Sequence, residues 1–445
     1  MKRVLLIAAL TLLTLVSFAP SRAQTPARMT ILFTGDCRGW IKPCGCAGGE
    51  MAGGLMRRAT FIEQQRVQNP QLVVVDLGHN FQGGTRQERI KAQTLLESLR
   101  LSGYTTATFG ANDFLFGANF LAKYGPAPYV SANVTLRDAP QGLSVPYKLV
   151  EMTPRSLMIV GVTGPDVLYS GEQGSLSISD PLQAVREQLA AADAMSPRPV
   201  VLVLAAVKPD DAKRIFELPG VDLLVRSYAG GAAGADNPTY TVVGKRAWAE
   251  AADQGRLVGR FELSLAPDGA LEQVSVDYTP LGDKLADHPE HKKFYEAYLD
   301  EVKKIFIEAA QQAQLHEQQS PFAGSESCMN CHSADFDKWT QTQHALAMQS
   351  LAEAGQDFDP ECVVCHSVGY GTPGGFVSMD FTPGLGNVGC EVCHGARKAH
   401  TADPTIKGVP ADVNTCLRCH TTLRDPQFEF GKRWQTIKHG KGQAD

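Results

Sequence analysis

Cysteine is absent from positions 47 to 327, so the eleven cysteines of this 445-residue chain fall into two groups near opposite ends. Cysteine usage therefore divides the chain into two chemically different halves. No charge of one sign dominates either. With 42 Lys and Arg against 47 Asp and Glu, the net charge of −5 gives no support for nucleic-acid binding. Long apolar runs are also missing, with one exception. Lys2 and Arg3 precede an apolar stretch from Val4 to Phe18, followed by Pro20-Ser21-Arg22-Ala23. At about 15 residues it falls short of the roughly 20 that a membrane span needs. A basic start, a short apolar run and a small-x-Ala site read as a signal peptide over residues 1–23, cut near Ala23. No Cys follows that site, so a lipid anchor is not indicated. The expected product is a periplasmic chain starting near Gln24, not an integral membrane protein. With 43% apolar residues it can bury a normal core, and its length suits two or three domains.

What is present in the last quarter is one pentapeptide, four times over. Cys328-Met329-Asn330-Cys331-His332, Cys362-Val363-Val364-Cys365-His366, Cys390-Glu391-Val392-Cys393-His394 and Cys416-Leu417-Arg418-Cys419-His420 all read Cys-x-x-Cys-His. This is the attachment pattern of a c-type haem. Residues three apart share one face of a helical turn. Both thiols can thus reach one porphyrin edge, and the following His falls under the ring to bind iron. Zinc sites and redox disulfides also use Cys-x-x-Cys, but neither requires His after the second Cys every time. Covalent haem is added outside the cytoplasm, which agrees with the export signal.

The half from about Met29 to Tyr278 alternates strand and helix signals. Met29–Thr34, Leu72–Asp76, Leu157–Val162 and Val200–Leu204 are short apolar runs expected to form buried strands. Helices are expected at Ala52–Arg66, Arg86–Leu101 and Pro181–Met195, the last with Pro181 in its first turn. Two strands flank the Pro267-Asp268-Gly269 turn between Leu257 and Tyr278. The pattern is that of an α/β layered domain. Ile31-Leu32-Phe33-Thr34-Gly35-Asp36, Gly53-Gly54-Leu55-Met56-Arg57-Arg58-Ala59, Val75-Asp76-Leu77-Gly78, Gly110-x-x-Asp113-Phe114 and Ser131-Ala132-Asn133-Val134 occur in an order that resembles the 5′-nucleotidase branch of the calcineurin-like metallophosphoesterases. The resemblance implies a four-layer αββα fold over residues 29–280, with a two-metal site at the strand ends.

Most ligands of that implied site are missing. Where the family has Asp-x-His, this chain has Asp36-Cys37-Arg38. Gly78-His79 replaces Gly-Asp, and Gly110-Ala111-Asn112-Asp113 replaces Gly-Asn-His-Glu. Ala205-Ala206-Val207 and Arg226-Ser227-Tyr228 carry no His where later ligands would lie. Two-metal hydrolysis needs ions clamped about 3.5–4 Å apart, and Asp36 alone cannot do that. What remains is Asp36, Cys37, Cys44, Cys46, His79 and Asp113. These could form a redox thiol pair or a single sulfur-and-imidazole metal site, or the three thiols could include a structural disulfide.

Residues 281–320 change to charged and Gln-rich helix formers. Phe294, Tyr295, Tyr298, Val302, Ile305 and Phe306 recur at helical spacing, so the segment reads as a helical connector with one packed face. His288, His291 and His316 within it are expected to be solvent-exposed or capping residues. Residues 321–445 are too few to build a large apolar core, so a small, mainly helical domain is expected to pack around its haems. Once the four motif histidines are assigned, this segment holds three more: His344, His400 and His439. Three distal ligands for four irons imply three bis-His haems and one whose sixth position is open or Met-ligated. Met348 could ligate, or pack against a ring.

Gly324-Ser325-Glu326-Ser327-Cys328, Trp339-x-x-x-x-His344-Ala345-Leu346-Ala347-Met348, Cys365-His366-Ser367-Val368-Gly369-Tyr370-Gly371 and Gly389-Cys390-Glu391-Val392-Cys393-His394-Gly395 resemble the tetrahaem cytochrome c family that accepts electrons from hydroxylamine oxidoreductase in ammonia oxidisers. The resemblance implies that the second haem is five-coordinate, with His366 its sole protein ligand. The expected function is electron transfer between redox partners, either other cytochromes or membrane quinol-oxidising complexes. Two alternatives stay open. One is a redox enzyme using an open haem or the Cys44/Cys46 loop; the other is a phosphoesterase with a rewired metal site.

Overall fold

The computed structural model describes residues 27–43, 52–166, 176–227, 238–315 and 320–439, apart from 422, 423 and 426. The export signal, Cys44, Cys46, Tyr228 and His316 lie outside the described residues. Two sheets dominate the N-terminal part. One runs Leu271–Pro280, Leu257–Leu265, Ala27–Thr34, Val73–Asp76, Thr106–Ala107; the other runs Tyr240–Val243, Arg246–Glu250, Leu223–Arg226, Val200–Ala206, Leu157–Thr163, Tyr147–Val150. Their central strands are parallel, with Phe33 opposite Val75 and Leu202 opposite both Ile159 and Leu223. Strands buried on two faces need continuous apolar sequence, which Val73-Val74-Val75 and Val200–Ala206 supply.

The inner faces meet through Ile31, Phe33, Val75, Ile159, Leu202 and Phe261. Helices α1 (Leu55–Gln68) and α2 (Arg86–Leu101) cover the first sheet. Helix α3 (Ala118–Tyr124) extends that layer, while α4 (Pro181–Asp193) and α5 (Pro209–Phe216) cover the second sheet. The four-layer αββα arrangement expected from the sequence is therefore present. The boundaries of α2 coincide with its period because Thr85 caps it, its hydroxyl accepting from Glu88 N at 3.1 Å. Asp180 caps α4 in the same way, accepting from Gln183 N at 2.7 Å.

Helix α6 (Pro289–Leu315) is more than a connector. Tyr295, Tyr298 and Val302 enter the core formed by α1, α2 and the first sheet. Phe306, one turn on, joins the apolar cluster of the C-terminal part with Met348, Leu351, Val363, Val368, Phe376 and Leu385. That part is a chain of short helices, four of whose turns carry the Cys-x-x-Cys-His motifs.

His291 corrects the sequence expectation: it is buried, not exposed. Its Nε2 lies 3.0 Å from Ser102 Oγ and 3.3 Å from Ser98 O, and its Nδ1 lies 3.2 Å from His288 Nδ1. A histidine at the start of a helix says nothing about what packs on it, and here the end of α2 does. Burial drives its pKa down to about 4, despite the Ser98 carbonyl. A lowered imidazole pKa means that the unfolded chain binds the extra proton first. Stability should therefore fall as pH drops from the unfolded value near 6.5 towards about 4, and level off below. Denaturant titrations of the native protein and of His291→Gln would check this: the variant should lose that part of the pH dependence.

Candidate functional site

The parallel strands of the first sheet end in loops that converge on one point, where open α/β sheets place their ligands. Asp36 follows the strand Ala27–Thr34, His79 follows Val73–Asp76, and Asp113 lies beyond Thr106–Ala107. Backbone bonds knit the first two loops together: Asp36 N donates to Gly78 O at 2.9 Å and Arg38 N to His79 O at 3.1 Å. Asp36, Arg38, His79 and Asn112 all hold positive φ, between 46° and 63°. Such strain gathers where a fold over-determines a site. Gly78 has no alternative, since a Cβ there would lie 2.3 Å from Asp113 Oδ2 and 2.4 Å from Gly110 N.

The structure brings Asp36, His79 and Asp113 together and binds them to one another. His79 Nδ1 lies 2.7 Å from Asp36 Oδ1, and Ser227 Oγ donates to the same oxygen at 3.3 Å. Burial opposes charge on His79, but the bond to Asp36 and the charges of Asp36 and Asp113 outweigh it and raise its pKa. Asp113 takes three amide donors, His79 N, Asn80 N and Gly110 N, at 2.8–2.9 Å. Even so, burial pushes its carboxyl up to about 6. Asp76 accepts from Thr34 Oγ1, Gly78 N and Asn80 Nδ2 at 2.6–2.9 Å. Arg38 pairs with Asp253 at 3.0 Å, and buried Arg226 pairs with Glu250.

A two-metal centre does not fit this set. Its carboxylates already serve amides, hydroxyls and cations, and no group of three or more His, Cys, Asp or Glu among the described residues could hold a metal ion. Cys37 is buried as a free thiol beneath this loop, with Arg58 Nη1 2.9 Å from its sulfur. Burial pushes it up to about 11 despite Arg58, so it stays protonated.

The second constellation lies in the C-terminal part. His400 faces His332 with ring centres 6.3 Å apart, His344 faces His420 at 6.2 Å, and His439 faces His394 at 5.8 Å. Two imidazoles bound at about 2 Å on either side of one metal ion place their ring centres roughly 6 Å apart. The donor set therefore fits an iron between each pair. Four of these six Nδ1 atoms have an acceptor, leaving Nε2 for a metal. His394 Nδ1 lies 3.3 Å from Val409 O, His400 Nδ1 2.8 Å from Ile406 O and His439 Nδ1 2.8 Å from Ile437 O. His420 uses the Asp425 carboxylate at 2.7 Å, while Asp335 stands 3.7 Å from His332 Nδ1. His366 Nδ1 lies 2.7 Å from Ala347 O, and the three non-motif histidines all face other motifs. Met348 packs in the apolar cluster against Val363 and Val368.

Two residues of this constellation carried no sequence signal as functional. Asp425, five residues on, reaches His420 Nδ1 at 2.7 Å. Glu391, between the cysteines of the third motif, is buried and accepts from Ala323 N, Gly324 N and Arg397 N at 2.7–3.0 Å. It brackets the first and third motifs. Glu391→Ala should therefore cost about 3 kcal/mol of unfolding free energy, since one buried and two part-buried amides lose a charged acceptor. Guanidinium titration would read this, and a loss below about 0.5 kcal/mol would contradict the bracket.

Comparison with known proteins agrees with both halves. Residues 327–395 match the family described as cytochrome c554 and c-prime. Cytochrome c-554 of Nitrosomonas europaea is 35% identical over 104 residues, which is 20% of this chain and 44% of that protein. The rat 5′-nucleotidase is 25% identical over 247 residues, 52% of this chain and 43% of that one. The chain thus spans less than half the length of these relatives. Among solved structures, a 5′-nucleotidase precursor from Thermus thermophilus superposes with a TM-score of 0.51 at 21% identity, covering 62% of this chain and 59% of the other. The sulfate thiohydrolase SoxB of Thermus thermophilus superposes with a TM-score of 0.50 at 16% identity, covering 61% and 60%. Proteins named for different chemistries share this fold, so it does not name an activity.

Proposed function

We propose that this chain, a cytochrome c554-type domain joined to a 5′-nucleotidase-like fold, is an exported electron carrier with four covalent haems and a non-hydrolytic N-terminal domain. The observation that carries the reading is the set of opposed histidine pairs, each joining one motif His to one of the three others. Cys328 and Cys331, Cys362 and Cys365, Cys390 and Cys393, and Cys416 and Cys419 would attach the four groups. His332, His394 and His420 would bind the iron from one side, and His400, His439 and His344 from the other. Haem iron supplies one-electron chemistry, and its potential follows its ligands and their hydrogen bonds. On that basis Asp425, by giving His420 a carboxylate partner, makes that imidazole the more electron-donating ligand. The partners would be other cytochromes or quinol-oxidising complexes. Export rests on the first 23 residues, and no described helix is long and apolar enough to cross a membrane.

A second reading is favoured by His366, which none of the described non-motif histidines faces. An iron held there would keep a side open to a small ligand. The N-terminal domain is read as non-hydrolytic because Asp36, His79, Asp113 and Asp76 are engaged with each other and with backbone amides.

Mass spectrometry of the exported protein should show four covalent haems and a start near Gln24; zinc with unmodified thiols would overturn the reading. Magnetic resonance should find one high-spin haem for every three low-spin ones. His344→Gly, His400→Gly and His439→Gly should each convert one more, at the motifs of His420, His332 and His394 respectively. Four low-spin haems would remove the small-ligand reading. With added manganese or zinc, hydrolysis of phosphomonoesters or nucleotides should stay at background, and turnover abolished by Asp36→Ala would show the N-terminal site to be active.

A further inference from the structure

The two domains meet along a seam built on α2, and that seam lies against the second motif. The helix Pro360–His366 begins at Asp359, whose carboxylate accepts from Glu361 N at 3.0 Å and from Gln87 Nε2 of α2 at 2.8 Å. Gln87 also donates to Tyr298 of α6 at 3.0 Å. One turn along the same face of α2 stands Lys91, whose ammonium reaches Glu88 at 3.2 Å and Glu361 across the seam. Lys91 is almost fully buried, the Glu88 side chain is 14% exposed and that of Glu361 40%. Lys91 thus draws the Glu88 and Glu361 carboxyls to one ammonium across the seam. Two carboxyls held this close in a poorly solvated seam disfavour both being ionised at once. Two carboxyls and one ammonium thus meet at the seam, and Glu361 is one residue from Cys362, where the second haem would be attached.

We propose that Glu88, Lys91 and Glu361 form a proton-binding site that takes up one proton when the haem at Cys362 and Cys365 gains one electron. The inference rests on the electron-carrier reading above. The electron comes from a one-electron donor, such as a partner cytochrome, and takes the iron from ferric to ferrous. The proton comes from solvent through the exposed side of Glu361 and rests on Glu88; no bond breaks. An added electron lowers the local charge by one, and in a poorly solvated seam that strengthens proton binding by a nearby carboxylate.

The surrounding charges fit the division of roles. Burial and the nearby Glu361 carboxyl push Glu88 up to about 7, despite Lys91. Burial would raise Glu361 as well, but Lys91 holds it below the ordinary carboxylate value. From the far side Arg424 adds a cation, donating to Glu361 O and to Cys365 Sγ, each at 3.2 Å. Asp359 lies on the same helix end, held by Gln87. Tyr295 and Tyr298 of α6 complete the wall, and burial raises both phenols well above their usual range.

The test uses the haem-loaded protein. The midpoint potential of the high-spin haem is followed from about pH 5 to about pH 9, alongside reduced-minus-oxidised infrared spectra. The potential should fall as pH rises through the Glu88 range, and reduction should produce a protonated-carboxyl band. Both should disappear in Glu88→Gln with four haems still bound. The same pH dependence in Glu88→Gln would overturn the proposal and place the proton elsewhere, on haem propionates for example. Should that variant fail to fold, glutamate-labelled native protein decides: no labelled carboxyl band on reduction overturns the proposal. A chain without four haems would instead refute the electron-carrier reading, which mass spectrometry shows separately.

Discussion

An imidazole can present Nε2 to a metal in one fixed orientation only if something holds its other nitrogen, and the C-terminal domain is organised around that need. Val409, Ile406, Ile437 and Ala347 supply backbone carbonyls, and Asp425 supplies a carboxylate. These acceptors come from turns and short helix ends, where carbonyls are not consumed by regular structure. A longer helix would satisfy its own carbonyls and leave the histidines unanchored. The short helices of this domain, each five to eight residues, are thus the form that ring orientation demands. Glu391 serves the same end at the backbone level, fixing the path by which the chain reaches the first motif.

The N-terminal domain shows a different outcome of fold persistence. Its strand-end loops keep four residues at positive φ, a costly geometry that the rest of this domain, Gln254 apart, leaves to glycine. The side chains there no longer point their lone pairs at an empty centre. Asp36 turns to His79 and Ser227, Asp113 caps amides, and Arg38 is held by Asp253. Asp36, Asp76, His79 and Asp113 each have protein partners, as buried charge requires. Cys37 fits this pattern, sealed under the loop beside Arg58.

Much of this was legible in the sequence, for identifiable reasons. The limits of α2 could be read because its apolar period and its cap agree. That three histidines of this part lie outside the motifs followed from counting. Which histidine faces which motif could not be read, since His344 lies just after the first motif yet faces the fourth, and spatial order is not chain order. His291 was misjudged because burial at a helix start depends on what packs there. The role of Lys91 was invisible for a related reason: its partner Glu361 is 270 residues away. The Cys44 and Cys46 loop lies outside the described residues, so its role stands as the sequence left it.

Helix α6 places Val302 in one apolar core and Phe306 in the other, one turn apart on a continuous rod. A helix does not bend freely between adjacent turns, because its backbone bonds tie each turn to the next. Peeling the domains apart would therefore expose one of those cores or break the rod between them. The fused protein is in this sense one mechanical object. A defect in the α1, α2 and α6 packing is thereby transmitted to the second motif.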